Sequence, residues 1–347
     1  MVSNIWKKII DHKHVFIVAE AGVNHNGDIK IAKQLIDVAV DAGCDVVKFQ
    51  TFKAENIVTA DAPKAKYQLK TTSSTESQLE MLCRLELSYK DHEKLYEYCL
   101  KKGILFMSTP FDEESADFLD TLGVPVFKIP SGEITNLPFL THVAQKGKPL
   151  IVSTGMSYLQ EVQTAVEALK KTKNKNFALL HCVSQYPAEP QDVNLKAMDT
   201  LAKVFRVPIG FSDHTLGIEI SLAAVARGAR IIEKHFTLDR DLKGPDHKAS
   251  LEPLELKALV AGIRKIEVAL GHGRKEPVFK EKEVAAITRK SLVAAQYISA
   301  GAILSEESIA IKRPGTGLSP DMRAQIVGRK TKVSIQKDQP IRLDMLV

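Results

Sequence analysis

The stretch VFIVAEAGVNHNGDIKIAKQLIDVAVDAGCDVVKFQ (15–50) contains the pattern that much of the chain repeats. It opens on an apolar, β-prone run at 15–20, continues with an amphipathic segment at 29–43, and returns to an apolar run at 45–50. Apolar runs without polar alternation are typical of parallel strands that are buried on both faces. The amphipathic segment ends at Gly43, and glycine commonly caps the C-terminus of a helix. The stretch therefore predicts a strand, a helix and a second, parallel strand.

The same pattern occurs eight times before residue 240. The apolar runs are VFIVAE (15–20), DVVKFQ (45–50), ILFMST (104–109), VFKIPS (126–131), LIVSTG (150–155), FALLHC (177–182), PIGFSD (208–213) and RIIEKH (230–235). Eight strand–helix units are the number that closes a (β/α)8 barrel, so we predict an α/β fold of the TIM-barrel type. An open, doubly wound sheet is the competing interpretation.

Polar residues cluster where the predicted strands end, which is where a TIM barrel places its catalytic groups. They are Glu20, Lys48, Gln50, Ser108, Thr109, Lys128, Ser131, Glu133, Ser153, Thr154, His181, Ser184, Asp213, His214, Glu233, Lys234 and His235. Strand ends are often polar because they meet solvent, which accounts for part of this pattern. Lys48 and Lys128, however, fall within apolar runs, where an unpaired buried ammonium is costly. We therefore expect an active site at this end of the barrel.

His214 and His235 follow the seventh and eighth strands, so we expect their rings to converge at the mouth of the barrel. Neutral imidazoles suit a borderline divalent cation, and two of them leave open positions for water or substrate. The alternative is a structural, hydrogen-bonded role for each histidine. The pair predicts a site for a first-row metal such as Mn²⁺, although the sequence does not fix which metal.

Two lysines and two serines form a second candidate group at neighbouring strand ends. They are Lys48, Lys128, Ser131 and Ser153. Ammonium charges and hydroxyl groups suit the oxygens of phosphate and carboxylate. The alternative is that the lysines form salt bridges with carboxylates such as Glu20 and Glu133. Those two carboxylates are candidates for the general acid or base if their surroundings raise their pKa values.

Two parts of the chain fall outside the repeat. The segment 51–90 is too long for a plain barrel loop, so we expect it to fold over the active face as a lid. After 271 the sequence becomes polar and then breaks into short β-like pieces, which predicts a small, mainly-β module. The predicted division is a barrel at 1–275, a linker at 276–286 and the module at 287–347.

Composition narrows the class of protein. The 347 residues are 44% hydrophobic and 26% charged, as is ordinary for a globular chain, with no apolar run near the ~20 residues of a membrane span. The four cysteines form no CxxC pair, which together with the absence of a signal peptide predicts a reducing, cytoplasmic location. The net charge of +6 is spread along the chain, which favours anionic small substrates over nucleic acid.

Motifs along nearly the whole chain resemble those of the sialic acid synthase family. They are EAGVNHNG (20–27), KFQTF (48–52), STPF (108–111), KIPSGE (128–133), STGM (153–156), the YP of SQYP (184–187), FSDHT (211–215), EKHFT (233–237) and GPDH (244–247). KRPGTG (312–317) resembles the antifreeze-like, or SAF, domain that ends those enzymes. Nine ordered motifs in one barrel are far more specific than any one of them.

The resemblance implies an enzyme, a transferase that condenses phosphoenolpyruvate with an N-acylated hexosamine and water. For N-acetylmannosamine the products are N-acetylneuraminate and phosphate, formed by cleavage of a C–O bond. The resemblance also implies a divalent metal, with Mn²⁺ expected and Mg²⁺ or Co²⁺ as alternatives. It implies a domain-swapped homodimer in which the SAF domain of one subunit closes the barrel of the other, and no nucleic-acid or membrane partner.

Site residues follow by motif match. The implied catalytic residues are Glu20, Glu133, Lys48 and Lys128, with the choice of base between the two glutamates left open. The implied phosphoenolpyruvate ligands are Lys48, Thr109, Lys128, Ser131 and Ser153. The implied sugar contacts are Gln50, Phe111, Tyr186, Asp246 and Arg313, the last supplied by the partner subunit to the acyl amide. The implied metal ligands are His214 and His235.

The choice of sugar is the least determined part of the resemblance. Some N-acetylneuraminate synthases carry Asn where this chain has Ser184, and some read KHQT where it reads KFQT (48–51). The stretches PKAKYQLKTT (63–72) and ITRKS (287–291) are similar to a subgroup that includes legionaminate synthases. We expect N-acetylneuraminate synthase, with N,N'-diacetyllegionaminate synthase, using 2,4-diacetamido-2,4,6-trideoxymannose, as the alternative. A non-catalytic carbohydrate-binding barrel is the alternative from a different class.

Overall fold

The computed structural model describes residues 2–11, 13–73 and 75–347. The chain divides into two compact units, Met1–Gly271 and His272–Val347. The finer bounds expected from the sequence, with a linker at 276–286, stay a prediction.

Parallel strands form the centre of the first unit. Within the described residues they are β1 (Phe16–Gly22), β2 (Val46–Thr51), β3 (Leu105–Pro110), β4 (Phe127–Ile129), β5 (Leu150–Ser153), β6 (Phe177–Cys182), β7 (Ile209–Asp213) and β8 (Ile231–His235). Hydrogen bonds join them in the order β3-β2-β1-β8-β7-β6-β5-β4, and β3 contacts β4. The sheet therefore closes into a barrel, which confirms the predicted fold and excludes the open, doubly wound sheet.

Helices cover the outside of the barrel. Within the described residues they are α1 (Val2–Ile10), α2 (Ile29–Ala42), α3 (Ala54–Ile57), α4 (Lys66–Thr71), α5 (Gln78–Leu85), α6 (Tyr89–Lys102), α7 (Glu113–Leu122), α8 (Leu137–Gln145), α9 (Leu159–Lys171), α10 (Ala197–Phe205), α11 (Glu219–Ala226) and α12 (Pro253–Leu270). Short 3-10 helices occupy Ser131–Glu133, Pro190–Asp192 and His247–Ala249. Gly43 follows α2 with φ of 80°, in the left-handed region that favours glycine, as its predicted cap position requires.

Each barrel strand separates two apolar layers because successive side chains point to opposite faces of a strand. In β1, Ile17 belongs to the outer layer between strands and helices, whereas Val18 belongs to the inner core. Ile5 and Ile9 of α1 pack against this inner core with Trp6. Helix α1 thereby fills the end of the barrel that lies opposite the C-terminal ends of the strands.

The second unit has its own small core, formed by residues such as Leu292, Ile309 and Ile335. Its described elements are α13 (Phe279–Thr288), an antiparallel pair of β9 (Ser291–Ala294) and β10 (Ile309–Lys312), α14 (Arg323–Ile326) and 3-10 helices at Pro320–Met322 and Leu343–Met345. The β-like pieces predicted in this module are SLVAAQYI (291–298), IAIKRPG (309–315), VGRKTKVSI (327–335) and QPIRLDMLV (339–347), and the first two contain these strands. In the described residues the other two pair only through isolated bridges, such as Ile298 with Ile335.

No helix in the described part of the chain combines the length and the apolar character needed to cross a bilayer.

The motif GVNHNG (22–27) joins the loop after β1 to the loop after β8. The Asn24 side chain donates hydrogen bonds to the Phe236 carbonyl (2.8 Å) and to Ser250 Oγ (2.9 Å). Ser250 Oγ in turn donates to the Asp246 carbonyl at 2.7 Å. The seam between the first and last strands is thus fixed by buried side-chain hydrogen bonds, and so is the loop that carries Asp246.

His25 in the same motif is 1% exposed. Its Nδ1 accepts a hydrogen bond from the Gly27 backbone N–H at 3.0 Å, and its Nε2 has no hydrogen-bond partner among the described residues. Burial, aided by the charge that His92 would carry, lowers the pKa of His25 from 6.5 to about 3. The folded protein therefore holds this imidazole neutral at pH values where the unfolded chain protonates it.

We predict a pH-dependent loss of stability that originates at His25. Because its pKa is depressed on folding, its contribution is full above pH ~6.5 and is lost as the pH falls toward ~3, by about 2 kcal/mol between pH 7.5 and 5.0. His25→Asn keeps an acceptor near the Gly27 N–H and should reduce that loss by about the same amount. Urea unfolding followed by fluorescence of Trp6, the single tryptophan, measures it. The exposed His272→Asn control should keep the wild-type pH dependence, and unchanged dependence in His25→Asn would contradict the assignment.

Candidate active site

The two-residue period of the strands places the polar side chains of the site. Val18 lies in the inner core of the barrel, and Glu20, two residues further along β1, lines a cavity at its C-terminal end. The same step leads from Val46 to Lys48 in β2. It recurs from Met107 to Thr109, Val126 to Lys128, Ile151 to Ser153, Leu180 to Cys182 and Ile231 to Glu233 and His235. The site is therefore the polar top layer of the barrel core.

One cavity of about 450 Å³ brings together every predicted site residue that belongs to the barrel. They are Glu20, Lys48, Gln50, Thr109, Phe111, Lys128, Ser131, Glu133, Ser153, Tyr186, His214, His235 and Asp246. Arg313 belongs to the second unit. The volume lies within the ~300–1,000 Å³ that small-molecule sites occupy. The roles assigned to these residues remain predictions, since geometry gives their proximity but not their chemistry.

A buried ionic cluster forms the floor of the cavity. Lys48 Nζ lies 2.7 Å from Glu20 Oε2 and 2.9 Å from Thr109 Oγ1. Glu233 stands between the two lysines, with its carboxylate oxygens 3.7 Å from Lys48 Nζ and 3.3 Å from Lys128 Nζ. All four charged side chains are 5% exposed or less. The salt bridge expected between Lys48 and Glu20 is present, and it coexists with the cavity rather than replacing it.

Burial and neighbouring charges shift the pKa values of the four groups in the cluster in different directions. Burial alone would raise the pKa of Glu233, but Lys128 and Lys48 outweigh it and lower that pKa to about 2. Burial raises the pKa of Glu20 to about 7 in spite of the opposing charge of Lys48. Burial also lowers the pKa of Lys128, whereas Glu20 and Glu233 overcome burial at Lys48 and raise its pKa. Near neutral pH the floor therefore carries a cation at Lys48, an anion at Glu233 and, at Glu20, a carboxyl group that can exchange a proton, while burial weakens the hold of Lys128 on its proton.

Hydroxyl groups surround the lysine pair. Ser153 Oγ is buried and has no hydrogen-bond partner among the described residues. Ser131 Oγ accepts a hydrogen bond from the Gly155 backbone N–H at 3.0 Å. A Cβ at Gly155 would lie 2.8 Å from Ser131 Oγ and 2.4 Å from Ser184 Oγ, so only glycine allows this close approach. These groups can donate to the oxygens of an anion held by the lysines.

The two predicted metal ligands lie side by side, with the ring centroids of His214 and His235 5.4 Å apart. His214 Nδ1 lies 2.7 Å from the Val183 carbonyl, which fixes the N–H on that nitrogen and leaves Nε2 as the lone-pair donor. His235 Nδ1 is buried without a hydrogen bond from the described residues. Burial and the neighbouring His214 hold the pKa of His235 well below its usual range, so its imidazole is neutral.

The histidine pair fits a divalent cation in the way its donor set predicts. His235 has a buried ring nitrogen without a hydrogen-bond partner among the described residues, and it lies beside His214, whose tautomer is fixed. Nitrogen ligation of a first-row metal needs such an arrangement. Among the described residues, no group of three or more His, Cys, Asp or Glu side chains converges on a metal position. Two imidazoles would therefore leave the remaining coordination positions to substrate or water.

Aromatic and carboxylate groups line the wall next to the histidines. The Tyr186 ring lies 4.1 Å from the His214 ring and 5.1 Å from the Tyr67 ring of α4. Asp246 Oδ2 is 3.9 Å from His235 Nδ1, and burial raises the pKa of Asp246 to about 6. Tyr186, Asp246 and Tyr67 thus form one wall of the cavity, to which the segment expected as a lid contributes Tyr67.

Lid residues line the outer part of the same cavity. They are Ile57, Val58, Ala65, Tyr67, Gln68, Gln78, Met81, Leu82 and Leu85. The segment 51–90 therefore contributes to the cavity, and Ser74 within it lies outside the described residues. None of the lining residues that the structure describes in this segment is charged.

Three site residues received no role from the sequence. Glu233 was noted only as polar, and Ser212 and Cys182 were passed over, yet all three line the cavity. Ser212 Oγ donates to Glu233 Oε1 at 2.9 Å and so helps hold the central carboxylate. Counting two residues on from the inward apolar side chains of Leu180 and Ile231 selects Cys182 and Glu233, whereas Ser212 follows Gly210 and has no such signal. Glu133, which the alternative interpretation paired with a lysine, accepts a hydrogen bond from Asn136 at 2.7 Å.

Comparisons with known proteins cover both units of the chain. A model described as the NeuB family matches residues 35–275, and a SAF domain model matches residues 289–347. The first match spans more than half of the chain and the second accounts for most of the second unit.

Similar proteins include two named N,N'-diacetyllegionaminic acid synthases. The one from Campylobacter jejuni is 52% identical over 332 residues, covering 95% of this chain and 99% of the relative. The one from Legionella pneumophila is 50% identical over 324 residues, covering 92% and 91%. A crystal structure of N-acetylneuraminic acid (sialic acid) synthetase from Leptospira borgpetersenii, in complex with citrate, superposes with a TM-score of 0.69 at 42% identity, covering 78% of this chain and 90% of that one.

Proposed function

The chain belongs to the NeuB family, and we propose that it is an N,N'-diacetyllegionaminate synthase. At the level of reaction class it is an enzyme, a phosphoenolpyruvate-dependent nonulosonic acid synthase. The proposed sugar is 2,4-diacetamido-2,4,6-trideoxymannose, which the family resemblance gave as the alternative to N-acetylmannosamine. The observation that carries the sugar is the 52% and 50% identity, over more than nine-tenths of the chain, with two synthases named for that product.

The wall of the cavity supports the less polar of the two sugars. The described lid residues that line it are apolar or carry uncharged amide and phenol groups, and Met81 and Leu85 are at most 1% exposed. The proposed sugar has a methyl group at C6 and a second acetamido group, where N-acetylmannosamine has hydroxyls. Apolar side chains favour methyl groups by about 0.8 kcal/mol for each buried carbon. N-acetylneuraminate synthase is the second candidate, favoured by the likeness to the Leptospira structure.

In the proposed reaction, Lys48 and Lys128 bind the phosphate and carboxylate of phosphoenolpyruvate at the cavity floor. Thr109, Ser131 and Ser153 donate hydrogen bonds to the same oxygens. The C3 carbon of the enol then forms a bond to the aldehyde carbon of the open-chain sugar, the former aldehyde oxygen takes up a proton to become a hydroxyl group, and C2 becomes cationic. Water adds to C2 and loses one proton, which balances the proton taken up by the sugar oxygen. The new hydroxyl oxygen on C2 then forms the keto group as the C2–O bond to phosphate breaks, and its proton leaves with the phosphate.

We propose that Glu20 is the general base that accepts the proton of the attacking water. A general base works best when its pKa lies near the working pH, and that of Glu20 is about 7. Glu133 is the alternative base, and its carboxylate already accepts a hydrogen bond from Asn136. Gln50 Nε2 lies 3.4 Å from Glu20 Oε1, at a distance from which it can help to orient that carboxyl group.

His214 and His235 would hold the divalent cation, with Mn²⁺ the expected ion and Mg²⁺ or Co²⁺ as alternatives. When bound, the ion supplies Lewis-acid polarisation of the sugar's aldehyde oxygen. The two rings orient that end of the sugar toward the enol carbon above Lys48 and Lys128. Tyr186 and Asp246 contact its hydroxyl groups from the adjoining wall.

The substrate assignment is tested by phosphate release from phosphoenolpyruvate in the presence of Mn²⁺ and single sugars. We predict that release requires an added N-acylated sugar. We also predict that kcat/KM for 2,4-diacetamido-2,4,6-trideoxymannose exceeds that for N-acetylmannosamine by at least about tenfold. Release without sugar would contradict the condensation itself, and a preference for N-acetylmannosamine would favour the second candidate.

The metal assignment is tested by His235→Ala. We predict at least about 100-fold weaker Mn²⁺ binding in calorimetric titration, with turnover reduced by a similar factor, because one of two imidazole ligands is lost. The matched control is His181→Ala, a strand-end histidine that bonds the Val193 carbonyl. Unweakened Mn²⁺ binding by the His235 variant would overturn the ligand assignment.

We also propose a domain-swapped homodimer in which Arg313 of the partner subunit holds the acyl amide of the sugar. The prediction is that Arg313→Ala and Lys128→Ala chains are each inactive alone but complement each other when mixed and refolded. In an equal mixture, half of the dimers are mixed and each has one intact site, so about a quarter of the wild-type activity is expected. Verified mixed dimers without activity would favour a site completed within one chain.

A further inference from the structure

One face of helix α5 supplies the inner surface of the lid. Gln78, Met81, Leu82 and Leu85 are spaced at i, i+3, i+4 and i+7, which places them on the same side of the helix. All four line the cavity. Met81 and Leu85 pack with Phe52 and Val23 in one apolar cluster, so the face is fixed against the barrel. Gln78 is its only polar side chain.

Gln78 has a side-chain hydrogen-bonding group without a partner among the described residues. Its Oε1 is buried, and no described residue donates a hydrogen bond to it. A buried acceptor left without a donor is unfavourable, so a ligand that donates to it gains affinity. Gln68, the other amide on the lid wall, uses its Oε1 to accept from the Ala65 backbone N–H at 2.9 Å. The two lid glutamines therefore differ, because Gln68 Oε1 already accepts a hydrogen bond whereas Gln78 Oε1 accepts none from the described residues.

The surroundings of Gln78 define the kind of group that would satisfy it. The group has to donate an N–H or O–H and to place apolar atoms against Met81 and Leu82. An acetamido group does both, since its N–H donates to a carbonyl oxygen and its methyl contacts apolar side chains. A hydroxyl group offers the donor without the methyl.

The direction of the sugar chain decides which acetamido group reaches α5. In the proposed function the aldehyde end lies at His214 and His235, so the carbons farther from C1 extend outward to the lid. We propose that Gln78, with Met81 and Leu82, forms a subsite for the 4-acetamido group of the sugar. This inference rests on the proposed function and makes Gln78 the residue that separates a diacetamido sugar from N-acetylmannosamine.

The test compares two sugars in one variant. Gln78→Met removes the amide but keeps the length of the side chain. It should lower kcat/KM for 2,4-diacetamido-2,4,6-trideoxymannose by about 10- to 100-fold. The value for N-acetylmannosamine should change by less than about threefold, and KM for phosphoenolpyruvate should not change. Gln163→Met is the matched control, since Gln163 lies exposed on α9 and pairs with Glu167.

A conservative variant separates a lost hydrogen bond from a damaged lid. Gln78→Glu keeps an oxygen acceptor at the same position and should retain more activity toward the diacetamido sugar than Gln78→Met does. Equal losses for both sugars, or no loss for either, would overturn the subsite while leaving the proposed function standing. A wild-type enzyme that does not turn over the diacetamido sugar would instead overturn the proposed function and the subsite with it.

Discussion

Two ammonium groups buried at one end of a barrel require a carboxylate between them, and Glu233 meets that requirement. Without it, Lys48 and Lys128 would face each other across a site that is almost closed to water, where charge repulsion is strong. Ser212 holds the carboxylate in place, and Glu20 takes up the remaining charge of Lys48. The proposed binding of an anion in the cavity depends on this balance, because the cluster keeps both lysines in place before any anion arrives.

Much of this architecture was predictable because parallel barrel strands have a simple sequence pattern. Unbroken apolar runs identified all eight strands, and their polar ends identified the face that carries the site. The position of Lys128 and His235 at strand ends already made them candidates by their chemistry, and the motif resemblance then implied their particular roles. Glu233 could not be given a role from the sequence, because a carboxylate in the EKH triplet is typical of a polar strand end. The register of the strands in the structure places it between the two lysines.

What could not be predicted depends on contacts between residues distant in sequence. The segment 51–90 has no strong periodicity, so its sequence did not indicate that one face of α5 lines the cavity. The pKa of His25 depends on burial that only the folded seam creates. In the second unit, residues 327–347 have β-like composition, but among the described residues they pair through single bridges because turns interrupt every longer ladder.

The position of helix α1 bears on the order in which substrates can enter the cavity. By filling the base of the barrel with Trp6 and its neighbours, it leaves the described cavity to be reached from the side of the lid. A small anion bound on Lys48 and Lys128 then lies beneath any sugar. If the proposed roles of these lysines hold, a cavity that is closed at its base and entered from the lid side requires phosphoenolpyruvate to enter before the sugar.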